Sequence, residues 1–218
     1  PARLIDSELG EIPEGWEVGC FGDVVEQVRD QENPLASPGA LFSHYSIPAF
    51  DEGQSPKAEL GESIKSQKSR VPPGVILLSK LNPEIERVWL VDVQSGARAV
   101  CSTEFLVLRS RSPSTRSYAY CLARSPLFRQ QIEALVTGTS KSHQRAHADT
   151  VLGLSAIRPP AQFIIAFDNC ASGLLGRTLA CRRESRTLAD LRDTLLPKLI
   201  SGELRVKDGA HIALEATV

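Results

Sequence analysis

The stretch AQFIIAFDNCASGLLGRTLACRRESRTLADLRDTLLPKLI, residues 161–200, decides how the chain is read. It follows Pro159-Pro160, holds no proline before Pro197, and turns a strand-and-turn texture into a helical one. Phe167, Leu174, Cys181, Leu188 and Leu195 recur every seven residues. Cys170, Arg177, Glu184, Leu191 and Lys198 form a second row between them, so the steps alternate between three and four. The ends of this seam are apolar and its middle is polar. A helix of this length spans ~55 Å at 1.5 Å per residue, more than one small domain covers, so the pattern asks for a partner helix. The alternative is a helix that bends at Gly173 or Gly176 and packs on its own domain.

Working back from this helix, the first 150 residues read as short strands broken by turn residues. The runs are Trp16-Glu17-Val18 through Val24-Val25, Tyr45-Ser46-Ile47, Val75 to Leu78, Val88 to Val91 and Phe105 to Leu108, bounded by Pro13, Pro48, Pro72-Pro73, Pro83 and Gly96. A helix is expected from Ser117 to Val136, with Tyr118, Cys121, Leu122, Ser125, Phe128, Ile132 and Leu135 near one face and Gly138 ending it. The fold class is α+β: a sheet-rich domain followed by one long helix.

The 218 residues are 42% hydrophobic and 23% charged, an ordinary globular composition with room for a core. No run of 18 apolar residues and no basic-then-apolar leader occurs, so no membrane span is expected and the cytoplasm is the default. Methionine is absent, even at position 1; the chain is expected to be either processed or cut from something longer. Five scattered cysteines, Cys20, Cys101, Cys121, Cys170 and Cys181, read as buried small hydrophobes and not as a disulfide framework. The net charge of -1 hides a polarity: residues 1–63 carry -10, residues 64–145 carry +8, and the rest +1. A basic central block suits a polyanionic partner. Equally, the acidic third and the basic third can pair with each other.

Catalytic signatures are missing from the sequence: there is no phosphate loop, no H-E-x-x-H, no G-x-S-x-G and no G-x-G-x-x-G after a strand. Asn82-Pro83 is followed by Glu84-Ile85, unlike the motif of DNA amino-methyltransferases. No metal or cofactor is expected. The polar stretch Thr137-Gly138-Thr139-Ser140-Lys141-Ser142-His143-Gln144-Arg145 instead gathers hydroxyls, cations and an amide, a composition suited to phosphates and base edges. A second candidate is Leu78-Ser79-Lys80-Leu81-Asn82-Pro83 with Arg87 starting the next strand, otherwise a plain strand-loop-strand, and a third is Lys65, Gln67, Lys68 and Arg70, otherwise a solvated loop. Rival readings are a nuclease or hydrolase built on His143 and Asp149, and a coiled-coil adaptor that binds no DNA.

Four segments in order carry a resemblance. They are Asp6-Ser7-Glu8-Leu9-Gly10-Glu11-Ile12-Pro13-Glu14-Gly15-Trp16, Leu77 to Pro83, Thr137 to Ser140, and the ending Leu191 to Val206 with Leu196-Pro197-Lys198-Leu199-Ile200-Ser201-Gly202 at its heart. With these the chain resembles the DNA specificity subunit of Type I restriction-modification systems over nearly its whole length. The resemblance implies a target-recognition domain at residues 1–158, a spacer helix at 159–206 and a tail at 207–218 that is disordered or a foreign remnant. It implies a non-catalytic subunit that binds double-stranded DNA. Its spacer helix pairs antiparallel with another and is clasped by methyltransferase subunits, in a complex with a helicase-nuclease restriction subunit. With one unit where family members usually carry two, the chain is expected to be a half-size subunit that homodimerises or half of a full one. Lys80, Asn82, Arg87, Lys141 and Arg145 are the first DNA-contact candidates. Thr139, Ser140, Ser142, His143 and Gln144 are the second tier.

Overall fold

The most apolar runs of the N-terminal region, around Leu77, Trp89 and Leu106, become strands buried on both faces. The computed structural model describes residues 3–93, 96–112, 115–135 and 145–204. Along the chain these form β1 (Leu4–Ser7), β2 (Gly10–Pro13), β3 (Glu17–Cys20), β4 (Val25–Val28), β5 (Gln31–Glu32), β6 (Leu41–Tyr45), α1 (Ile47–Asp51), β7 (Lys57–Leu60) and β8 (Lys68–Arg70). Then come β9 (Ile76–Ser79), β10 (Val88–Leu90), β11 (Ala99–Cys101), β12 (Phe105–Ser110), α2 (Arg116–Arg124), α3 (Pro126–Ala134), α4 (Ala148–Leu152), β13 (Ser155–Arg158) and α5 (Ala161–Ile200). Two compact units result, Pro1–Leu175 and Gly176–Val218, and α5 runs through their boundary.

Two sheets organise the first unit. One is antiparallel throughout, in the order β10-β9-β12-β4; the other runs β5-β8-β11-β6-β7 with a single parallel pair, β11 on β6. Between them lies the core: Val28, Leu77, Trp89, Phe105 and Val107 from the first sheet against Tyr45, Ala99 and Cys101 from the second. Trp89 is its centre, with ring centroids 4.8 Å from Tyr45, 5.5 Å from Phe50 and 6.2 Å from Phe105. Alternation along the strands turns Ile76, Leu78, Leu106 and Leu108 to the opposite face. There α2 packs on β10 and β12, and Ala119, Tyr120 and Ala123 are buried. With both faces covered, the strands read as unbroken apolar runs and show no in-out alternation.

The long helix starts from a ladder. β3 pairs antiparallel with β13, Glu17 opposite Arg158, which sets the backbone just before α5. Its first turns are held by rings and one capping bond: Trp16 lies 5.8 Å from Phe163 and Tyr118 lies 6.1 Å from Phe167. The Ser117 amide, at the start of α2, donates to Asp168 Oδ1 at 3.2 Å. Tyr118 donates its hydroxyl to the Ile157 carbonyl at 2.5 Å, and burial pushes that phenol up to about 12.

Several expectations need correction. The single helix over Ser117–Val136 is two helices, because the residue before a proline avoids the α region: Ser125 is extended (φ -64°, ψ 144°) and caps α3 by accepting from the Phe128 amide at 3.3 Å. The run Tyr45-Ser46-Ile47 is not one strand; β6 ends at Tyr45 and Ser46 caps α1, accepting from the Ala49 amide at 3.3 Å. Of the five cysteines only Cys101 is buried, and burial raises its thiol to about 12; Cys20, Cys170 and Cys181 are exposed and Cys121 half-buried. The acidic first third does pair with the basic middle. Glu32 receives Arg70 at 3.1 Å and Arg98 at 3.0 Å, Glu26 meets Arg109 at 3.7 Å, and Asp51 meets Arg87 at 2.8 Å. Among the described residues no helix is long and apolar enough to cross a membrane.

Because Trp89 fills the space between the sheets, Trp89→Ala is expected to cost about 3–5 kcal/mol, the usual range for losing a large buried aromatic side chain. Equilibrium urea unfolding followed by circular dichroism measures it, and a loss below about 1 kcal/mol contradicts the packing described.

Candidate nucleic-acid interface

The loop between β9 and β10 is built by its own side chains. The Ser79 hydroxyl accepts from the Leu81 amide at 3.2 Å and donates to the Leu81 carbonyl at 3.0 Å, a local turn that ends the buried strand. Asn82 adopts φ +48°, the left-handed region that asparagine tolerates better than most side chains, and the Ile85 amide closes the turn on the Asn82 carbonyl at 2.9 Å. From α3, Arg129 donates to the Pro83 carbonyl. Glu86 takes the Arg124 guanidinium from α2 at 2.5 Å. The loop is therefore tied to the helical layer beneath it.

Arg87, at the return of this loop, is 8% exposed and forks onto Asp51 of α1, Nε to Oδ1 at 2.8 Å and Nη2 to Oδ2 at 2.9 Å. The guanidinium holds the Asp51 carboxyl below its ordinary range. Arg87 thus anchors the hairpin to the second sheet's helix, with Asp51 on its Nε–Nη2 edge and its Nη1 buried.

The chain comes back to the same loop at residue 145. Leu81 and Arg145 form an antiparallel bridge, and the Ala146 amide donates to the Lys80 carbonyl at 3.0 Å. Glu104, in the turn between β11 and β12, joins the two segments: its carbonyl accepts the Lys80 amide at 2.8 Å and its carboxylate receives the Arg145 guanidinium at 2.9 Å. Arg145, the last residue of one candidate stretch, thus meets Lys80, Leu81 and Asn82 of the other in a single backbone network. Thr139, Ser140, Lys141, Ser142, His143 and Gln144 lie outside the described residues. In the third candidate, Lys68 and Arg70 lie on β8, paired between β5 and β11: Lys68 donates to Ser66 Oγ at 2.7 Å, and Arg70 shares Glu32 with Arg98. Glu104 and Asp51 are absent from the sequence-based candidates. Glu104 carries a usable signal, since it is one of only five acids in the cationic block of residues 64–145.

The fold is similar to about half of each of several solved Type I restriction-modification chains. The HsdS subunit from Thermoanaerobacter tengcongensis matches with a TM-score of 0.62 at 20% identity, over 88% of this chain and 50% of that one. A chain from a structural study of assembly and conformational transition of the type I R-M system gives 0.61 at 21%, over 94% and 52%. The Type-I restriction-modification S subunit from M. genitalium gives 0.57 at 18%, over 93% and 50%. In sequence, a curated homologue is the Type I restriction enzyme MjaIX specificity subunit of Methanocaldococcus jannaschii, 26% identical over 208 residues that cover 91% of this chain and 46% of that protein. No family model matches the chain. The chain spans about half the length of the curated relative and of the solved subunits it matches.

Asp51 yields a pH-dependent outcome. Its folded pKa lies below the ordinary value of 3.8, so its contribution is fully present above that value and lost as pH falls through the depressed one. Asp51→Asn is expected to cost about 1–3 kcal/mol at pH 7, toward the low end because Asp51 is half exposed, and progressively less as pH drops below 3.8. Urea melts at pH 7 and pH 3 check this; a pH-independent difference shows that the carboxylate charge is not what holds Arg87.

Proposed function

We propose that the chain is a non-catalytic, DNA-reading specificity subunit of a Type I restriction-modification complex, which directs methyltransferase and restriction subunits to a bipartite target. The observation that carries this reading is the extent of the similarity to a curated specificity subunit. It runs over 91% of the chain, through both the sheet unit and α5, and so involves the reading and the spacing elements together. In this reading residues 1–158 recognise the target, 159–206 form the spacer and partner surface, and 207–218 are a tail. The protein acts in the cytoplasm on double-stranded DNA and needs no cofactor.

The proposed DNA contacts are Lys80, Asn82 and Arg145 of this loop cluster, with Thr139, Ser140, Lys141, Ser142, His143 and Gln144 as further candidates from the sequence. Lysines contribute phosphate contacts, which position the protein without reading sequence. Arg87 supports the face from below.

The spacer reading draws on the exposure of α5, which has no buried residue over its 40 positions. Leu174 is 72% and Leu188 65% exposed, and Cys170, Cys181 and Leu191 are exposed with them, an apolar seam that water does not favour. Phe167 and the half-buried Leu195 extend the row toward either end. In an antiparallel pair centred between Arg177 and Glu184, Arg177 of one copy meets Glu184 of the other, and such polar seam residues fix register. Charge reversal at Glu184 alone is then expected to impair assembly, and adding the reversal at Arg177 to restore it. Sedimentation velocity decides; variants that all assemble like the wild type remove this pairing.

The function itself is tested by expressing the chain with Type I methyltransferase and restriction subunits in a host and mapping methylated positions across the genome. A homodimer is expected to mark an inverted repeat with an unread gap, because a two-fold assembly reads symmetric half-sites. An asymmetric bipartite motif rules out the homodimer and leaves half of a two-domain subunit. No new methylation at any sequence overturns the reading.

A further inference from the structure

Arg145 donates three hydrogen bonds to one carboxylate: Nε at 3.1 Å and 2.9 Å to the two oxygens of Glu104, and Nη2 at 2.9 Å to Oε1. Glu104 therefore occupies the edge of the guanidinium formed by Nε and Nη2. A guanidinium is a planar fork with two usable edges, and the second, Nη1 with the outer Nη2–H, is directed away from that carboxylate. The Arg145 side chain is about half in solvent.

Electrostatics decides what the outer edge suits. A phosphate that approaches Arg145 meets a cation already neutralised and a carboxylate of its own sign only a few ångströms beyond it. A neutral pair of acceptors meets no such repulsion. In duplex DNA the neutral group that presents two acceptors to an arginine edge is guanine, through O6 and N7 in the major groove. Glu104 is also well placed to hold the arginine in one orientation. It sits in a turn where its amide donates to Ser102 Oγ at 3.2 Å and its carbonyl accepts from Lys80, so the backbone that carries the carboxylate is fixed on both sides. A fork ordered before docking loses less entropy on binding.

We propose that Arg145 reads a guanine edge in the major groove and that Glu104 is its positioning residue, keeping Arg145 off phosphate and turned toward the base. This rests on the DNA-recognition reading above and narrows it to one residue, one base and one supporting carboxylate.

The test is selection of bound duplexes from a random-sequence library by the full chain and by Arg145→Ala, Arg145→Lys and Glu104→Gln, each checked by circular dichroism for an unchanged fold. The wild type is expected to enrich a motif with a guanine at one position. Arg145→Ala and Arg145→Lys are expected to lose preference there by about 5- to 150-fold, leaving the other positions intact. Glu104→Gln, which keeps the shape and removes the charge, is expected to blur that same position. It should also raise affinity for unrelated DNA and steepen the salt slope by roughly 0.9, the signature of one added phosphate contact. A motif that survives Arg145→Ala with a uniform loss of affinity assigns Arg145 to phosphate and overturns the proposal. So does a motif and affinity unchanged in every variant. A wild-type chain that enriches no motif overturns the recognition reading and the proposal with it.

Discussion

The strands β10 and β9, with β12 as far as Leu108, have no solvent face, and the rest of the first unit depends on that constraint. One side is closed by the second sheet through Trp89, Tyr45 and Phe105. On the other side lie Ala119, Tyr120 and Ala123 of α2. A strand covered on both sides cannot slip register by one residue without exchanging two packed surfaces. The hairpin loop that leaves β9 at Ser79 therefore starts from a fixed place. Its ties to Arg129 and Arg124 extend that rigidity to the loop itself, where Lys80 and Asn82 sit.

Charge serves assembly here before it serves binding. The cationic block of residues 64–145 is met by acids at each structural junction: Asp51 under Arg87, Glu32 between Arg70 and Arg98, and Glu104 beside Arg145. The local potential felt by a polyanion is then lower than the segment's count of +8 suggests. What such pairing supplies is geometry, since a guanidinium forked onto a carboxylate has a defined plane. Arg87 uses that plane to join a loop to α1, whereas Arg145 keeps half of its side chain in water.

Much of this was legible in the sequence where burial is extreme. The runs around Leu77, Trp89 and Leu106 are apolar without interruption because both faces are covered, and the seven-residue spacing from Phe167 to Leu195 marks α5, in which no position is buried among the described residues. Reading failed where one residue overrides a pattern. Ser125 continues an apolar helical row, yet Pro126 forces it extended and splits the helix. For Cys170 and Cys181 the average tendency of cysteine points to the interior, whereas their seam positions place them on an exposed helix face. For Arg87, nothing in a linear sequence shows that Asp51 lies across from it. Glu104 was passed over for the same reason: its partners, Lys80 and Arg145, converge only in the folded chain.

The ladder between β3 and β13 has a further consequence. With Glu17 opposite Arg158, the backbone leaves this point at one strand and returns to it at the neighbouring one, a separation of roughly 4.8 Å. Everything between those two strands is a closed excursion, so a change in loop length or surface within it adds nothing to the displacement between its ends. Chains that exit beside their entry tolerate insertion and exchange well. The start of α5 is set by that ladder and by Trp16, so the loops within the excursion are free to diversify while the helix keeps its point of departure.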